Sequence, residues 1–177
     1  MKKLQIGVVG STADLSFTEE ARAAAEEIGR EIAKSGNILV FGAEKDFDSL
    51  PTVACRSAKR NGGLVVGVTY GKGKNVFEKD VDVIIPTGLE RGGGREFVLV
   101  LCCDAIITIS GGSGTLSEIC VAYQANIPII ALQGFGGWSD KIAGSYLDGR
   151  KRSGIVEAKT AEEAVKLAIK CCEEGNK

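Results

Sequence analysis

Residues 105–118 read AIITISGGSGTLSE, and this stretch decides the fold. Ala105-Ile106-Ile107-Thr108-Ile109 is a short run with no charged residue in it, the pattern of a strand covered on both faces. Three glycines then fall within four positions, at 111, 112 and 114, and Thr115-Leu116-Ser117-Glu118 opens a helix. Strand, glycine turn and helix together make a β-α step. Glycine at such a turn lets a ligand or another backbone approach closely.

The same alternation repeats outward in both directions. Leu4-Gln5-Ile6-Gly7-Val8-Val9 reads as a buried strand ended by Gly10-Ser11-Thr12, and an Ala- and Glu-rich helical pattern over 17–35 stops at Gly36-Asn37. Strands are expected at 38–41, 64–68, 81–86, 127–132 and 154–156, and helices at 49–60, 94–103, 116–125, just beyond Trp138, and at 161–174. Apolar strands alternating with helices imply a parallel sheet covered on both sides by right-handed crossovers. The expected fold class is therefore α/β, a Rossmann-like three-layer α/β/α arrangement with a mostly parallel sheet of about seven strands, built as one domain over 1–177.

Ligands of such sheets sit beyond the carboxyl ends of the strands, near the point where the strand order reverses. This singles out the loops at 10–14, 42–48, 86–95, 110–115 and 133–138. Gly10 and Ser11 after the first strand, and Thr87 and Gly88 after the fourth, are counted among the candidate binding residues with Gly111, Gly112, Ser113, Gly114 and Thr115.

Composition narrows the chemistry. The chain carries 22 basic and 23 acidic residues, so no global field gathers nucleic acid or an anionic membrane surface. No apolar run reaches the ~18 residues of a membrane span, and Met1-Lys2-Lys3 leads straight into a strand pattern without a cleavage site. A cytoplasmic protein with no membrane partner is expected. The six cysteines, Cys55, Cys102, Cys103, Cys120, Cys171 and Cys172, include no C-x-x-C and read as reduced thiols. Histidine is absent, which removes the commonest general base, the Ser-His and Cys-His pairs and most zinc sites. No metal and no resident cofactor are expected, and carboxylates and arginines are left to do any catalysis.

Two familiar phosphate loops fail at the glycine turn. The first βα turn, Gly7-Val8-Val9-Gly10, lacks the G-x-G-x-x-G dinucleotide spacing, and no lysine follows Gly114 as a Walker loop requires. What remains is a helix N-terminus with open amides at Gly112, Ser113, Gly114 and Thr115, a phosphate-sized anion site, set against glycines that merely make a tight turn. Glu118 has two readings as well. Thr115-Leu116-Ser117-Glu118 fits a capping box with Thr115 as N-cap, or else Glu118 is a working carboxylate. Arg95 opens another helix, where the dipole disfavours a cation, so an anionic partner is expected for it: Glu118, Glu96 or a ligand.

The run from Arg95 through Cys102-Cys103-Asp104-Ala105-Ile106-Ile107 to Gly111-Gly112-Ser113-Gly114-Thr115-Leu116-Ser117-Glu118 resembles the Lonely Guy (LOG) family and its wider "lysine decarboxylase-like" superfamily. The family pattern is an arginine heading one helix and P-G-G-x-G-T-x-x-E one helix and strand later. The resemblance continues through Ile127-Pro128-Ile129-Ile130 and Gly134-Phe135-Gly136-Gly137-Trp138, and its branch is the one that includes the molybdenum cofactor carrier protein of algae.

The resemblance implies nucleoside 5′-monophosphate phosphoribohydrolase chemistry. The amides of 111–115 would hold the 5′-phosphate, Glu118 would face the ribose, and Arg95 would position the substrate. It also implies a homodimer or higher oligomer, to which the apolar Phe97-Val98-Leu99-Val100-Leu101 adds support. Three positions depart from the enzymes: Ser110 stands for proline, Glu96 for lysine, and Gly42-Ala43-Glu44-Lys45-Asp46-Phe47-Asp48 for a G-G-G-x-x-G-L-M-G loop. Glu44, Asp46 and Asp48 would repel phosphate there, so a different ligand is expected. The leading expectation is a protein binding a nucleotide-like or other phosphorylated small molecule, beside a LOG-type hydrolase and a carrier of a pterin-type cofactor phosphate.

Overall fold

The computed structural model describes residues 2–13, 16–90, 92 and 94–175; Arg91 and Gly93 of the RGGGRE stretch lie outside them. Seven parallel strands form one sheet: β1 (Gln5–Gly10), β2 (Ile38–Gly42), β3 (Leu64–Thr69), β4 (Val83–Pro86), β5 (Ala105–Ile109), β6 (Ile129–Leu132) and β7 (Val156–Ala158). Their order across the sheet is β4-β3-β2-β1-β5-β6-β7. The helices are α1 (Glu19–Lys34), α2 (Leu50–Arg60), α3 (Arg95–Leu101), α4 (Ser113–Gln124), α5 (Gly137–Ile142) and α6 (Ala161–Gly175).

Alternate side chains of the strands feed two cores, as the uninterrupted apolar runs require. Ile6, Val8, Leu39, Phe41, Ile107, Ile109, Ile130 and Leu132 face α1, α2 and α6. Val9, Val40, Val68, Ile106, Ile129 and Ala131 face α3, α4 and α5, meeting Leu99, Ile119, Ala122, Tyr123 and Ile142. This is the expected three-layer Rossmann-like fold, and the sheet is parallel throughout. No helix among the described residues is long and apolar enough to cross a membrane.

Local chemistry sets where the elements begin and stop. Thr18 caps α1 by accepting from the Ala21 amide, and α1 gives way to Gly36 at φ +74°. Ser49 caps α2 through the Thr52 amide, with Pro51 in the first turn where its missing N–H costs nothing. The strand order reverses between β1 and β5, which opens a crevice at their carboxyl ends. The register Gly10↔Ile109 brings the loops after both strands to the same level.

Candidate functional site

A cavity of about 450 Å³ occupies that crevice, within the ~300–1,000 Å³ typical of small-molecule sites. Its lining comes from five places in the chain. Val8, Val9 and Gly10 end β1 with Thr12 beyond it, Gly42 ends β2 with Glu44 beyond it, Ser49 and Pro51 start α2, Gly92, Arg95 and Glu96 open α3, and Gly112, Ser113, Gly114, Thr115 and Glu118 open α4.

The glycine turn is held from three sides. Ser11 Oγ accepts from the Gly111 amide at 2.9 Å and donates to Ser110 Oγ at 3.0 Å, tying the loop after β1 to the loop after β5. The Trp138 amide donates to the Gly111 carbonyl and the Ser139 amide to the Ser110 carbonyl, each at 3.0 Å. Ser110 and Gly111 both take left-handed conformations, φ +55° and +99°. A Cβ on Gly111 would stand 2.5 Å from the Thr115 side chain. Gly114 is the opposite case, since a Cβ there would meet nothing within 4 Å. One glycine makes the turn; the other keeps the cavity open.

This scaffold starts α4 at Ser113, with Gly112 as an N-cap that supplies no side-chain bond. The capping-box expectation is therefore corrected. Thr115 is the third helical residue and not the cap, and Glu118 lies in the second turn, beyond reach of the cap amide. Glu118 is instead 7 % exposed and lines the cavity. Burial pushes its carboxyl up to about 8, with the Arg95 guanidinium opposing that rise and the Glu96 and Glu44 carboxylates adding to it.

Arg95 heads α3 and is buried beneath this cavity. Its Nη2 lies 3.4 Å from Glu44 Oε1 and 3.5 Å from Glu96 Oε1, long for charge-assisted bonds, which run ~2.7–2.9 Å. Its Nε and Nη1 are buried with no hydrogen-bond partner. Buried donors are normally satisfied, and this arginine is one of the residues that line the cavity. Glu96 Oε1 also accepts from the Gly92 amide at 3.4 Å. No group of acidic or cysteine side chains among the described residues is placed to hold a metal ion.

The other sequence candidates sort by position. Ser11 and Gly111 shape the turn without lining the cavity, while Gly10, Gly112, Ser113, Gly114 and Thr115 line it. Thr87 and Gly88 do not line it, because they follow the edge strand β4, three places from β1 in the sheet order. Thr87 Oγ1 bonds the Thr69 carbonyl and the Gly88 amide the Gly71 carbonyl, so both close the loop beside the edge. Of the three acids at 44–48 only Glu44 enters the cavity. Asp48 pairs with Arg56 at 2.9 Å and accepts from the Ser49 amide, and Asp46 accepts from Tyr70 Oη at 3.4 Å. Sequence reasoning did not assign Gly42 a role, although its place at the carboxyl end of β2 was a usable signal.

The pattern of the SLOG cluster4 family matches residues 3–165. The chain belongs to the SLOG cluster4 family. Solved relatives carry the same architecture over nearly the whole length. TM1055, a structural-genomics target, is 32% identical with a TM-score of 0.84, covering 94% of this chain and 99% of its own. The molybdenum cofactor binding protein of the phototrophic bacterium Rippkaea orientalis is 27% identical with a TM-score of 0.81, over 97% and 98% of the two chains. The molybdenum cofactor carrier protein of Chlamydomonas reinhardtii is 26% identical with a TM-score of 0.79, over 98% and 99%. The chain thus lies in the branch of the LOG-like superfamily that includes molybdenum cofactor carriers, as the Arg95-to-Glu118 motif indicates.

Proposed function

We propose that this protein binds a phosphorylated small molecule, with the phosphate on the uncapped N-terminus of α4 and the rest of the ligand reaching Arg95. The observation that carries this is Arg95, whose Nε and Nη1 are buried and unbonded, lining the same cavity as the open α4 amides. The dipole and the amides favour an anion, and Gly114 leaves room for it. Relatives named for binding and carrying the molybdenum cofactor support a small-molecule role. Calorimetric titration with inorganic phosphate and nucleoside 5′-monophosphates tests it; saturable binding that disappears when bulk is added at Gly114 is the expected result.

A second reading keeps the hydrolase. Glu118, its carboxyl raised to about 8, shares the cavity with Arg95, and such shifted groups in a cleft mark catalytic candidates. Glu118 would stabilise developing glycosyl charge once ionised, and Arg95 would hold the substrate. Release of free base from a panel of nucleoside monophosphates distinguishes enzyme from binder.

The protein pairs as a homodimer in this account. Phe97 and Leu101 of α3 are each 57 % exposed, and Val98 lies beside them. The segment 70–82 joins β3 to β4 without a helix, and its Val76 and Val81 pack on the α1/α2 side. Val83 and Ile85 of β4 consequently remain exposed on the α3 side of the sheet, an apolar surface of the kind a subunit interface covers.

A further inference from the structure

Glu118 is a cavity carboxylate with no counter-charge in contact. Arg95 Nη2 lies 3.4 Å from Glu44 and 3.5 Å from Glu96, whereas Glu118 makes no hydrogen bond or ion pair among the described residues. The elements packed on α4 decide what else it meets. α3 brings Arg95 and Glu96 and, just past its end, the Cys103 thiol, which its hydrogen bond with Cys102 and its burial hold well above the ordinary thiol value. Glu44 acts on it from beyond β2. On α5, Asp140 accepts from the Gly134 and Gly136 amides and Lys141 lies over the Trp138 ring. β1, β5 and β6 carry no charged side chain. Two carboxylates and one guanidinium thus face a carboxyl that is itself buried and unpaired. Glu118 also follows Ser113 by five positions, so about 7 Å of helix, at ~1.5 Å per residue, separates it from the amides that would hold phosphate. At ~7–10 Å and an effective dielectric of ~20, one added negative charge disfavours its ionisation about ten- to fifty-fold.

We infer that the cavity takes its anion together with a proton, held on the Glu118 carboxyl, so that anion affinity weakens in alkaline solution. This inference rests on the phosphate reading of the same cavity and adds how that site is regulated. Burial already pushes the carboxyl up to about 8, and a bound anion pushes it higher; a ligand that engages Arg95 adds to this, because the guanidinium is the neighbour that favours the ionised form. Well below that value Glu118 keeps its proton in the free and the bound protein alike, and pH has no hold on affinity. As pH rises through about 8 the free protein releases the proton while the bound protein retains it. Binding then draws a proton from the buffer onto a Glu118 oxygen and grows weaker with each step in pH. The coupling is reciprocal: anion and proton raise each other's affinity by the same factor.

The test titrates the full chain with sulfate at fixed ionic strength from pH 6 to 9, since sulfate is a tetrahedral dianion like phosphate but does not itself titrate in that range. Affinity should be level at the acid end and fall by about five- to tenfold between pH 7 and 9. Calorimetry at pH 8 in two buffers of different ionisation enthalpy should count about half a proton taken up per sulfate bound, and almost none at pH 6. Glu118→Gln, which cannot ionise, should lose the pH dependence. Glu96→Gln should move the fall to lower pH, because Glu96 is one of the charges that keep Glu118 protonated. A melt shows that each variant is folded, and the proton count on the wild type needs no variant. Level affinity up to pH 9, no proton uptake at pH 8, or a fall that persists in folded Glu118→Gln overturns the inference and leaves the anion site standing. If sulfate binds at no pH the inference is overturned as well, and a titration with inorganic phosphate then decides the anion site by itself.

Discussion

The guanidinium of Arg95 is seated against Gly42, so closely that a Cβ on Gly42 would come within 2.3 Å of Nη1. A glycine at the end of β2 thus positions an arginine that begins α3, 53 residues later in the chain.

Replacing Gly42 by Ala is expected to swing the guanidinium out of place without disturbing the backbone, because the colliding atom is the end of a flexible side chain beside an open cavity. The fold should lose less than the ~1–3 kcal/mol of an overpacked core. Ligand affinity should fall by about tenfold, the loss of one charge-assisted contact of ~1.4 kcal/mol. Calorimetry beside a denaturant melt separates the two effects; an unchanged affinity would mean Arg95 does not touch the ligand.

Gly114 should respond in the opposite sense. It lies in the first turn of α4 with open space beyond its Cα, so Ala there is expected to leave stability unchanged or raise it by up to ~1 kcal/mol. Gly114→Val, bulkier, should abolish anion binding in a protein that still melts cooperatively. Gly111→Ala is the contrast. With φ +99° and Thr115 at 2.5 Å, it should destabilise the fold by more than ~1 kcal/mol.

Glu118 should make stability depend on pH in an unusual direction. Its folded value of about 8 lies above the ordinary 4.5, so the folded protein keeps a proton that the unfolded chain releases. This contribution is fully present below pH 4.5 and is lost as pH rises through about 8, with a slope of up to ~1.4 kcal/mol per pH unit. The chain has no histidine to titrate in the same window. Melts of wild type and Glu118→Gln from pH 5 to 8.5 should therefore diverge, the variant gaining on the wild type as pH rises. A difference independent of pH would show that Glu118 ionises normally.

The oligomer has a direct readout. Light scattering at micromolar concentration should give about twice the 18.5 kDa chain mass, and Phe97→Glu with Leu101→Glu should return the protein to monomer. Monomeric wild type would contradict the role given to the exposed α3 face.

The fold was legible because its signals are local. Continuous Val/Ile/Leu runs mark strands buried on both faces, and Gly36 stops α1 by a conformation that few other residues adopt. Arg95 was legible through the dipole penalty at a helix start. The beginning of α4 was not. Glycine is a poor helix former, so propensity defers the helix to Thr115, whereas the Ser11, Trp138 and Ser139 bonds to the turn begin it at Ser113. Those bonds join residues far apart in sequence and leave no local trace. The same holds for Glu44, which meets Arg95 across 51 positions because α3 packs over β2 and β3. Thr87 and Gly88 carry the same local signal at the edge strand β4, away from the cavity, since chain order alone does not reveal that β4 is an edge.

The central claim is that the cavity receives a phosphate at the start of α4, and a crystal structure grown with inorganic phosphate tests it most directly. Phosphate oxygens within hydrogen-bonding distance of the Ser113, Gly114 and Thr115 amides, in a cavity still bordered by Arg95, are the expected result. The account is contradicted if those amides are capped by protein groups, or if the anion binds elsewhere while the cavity stays closed to it.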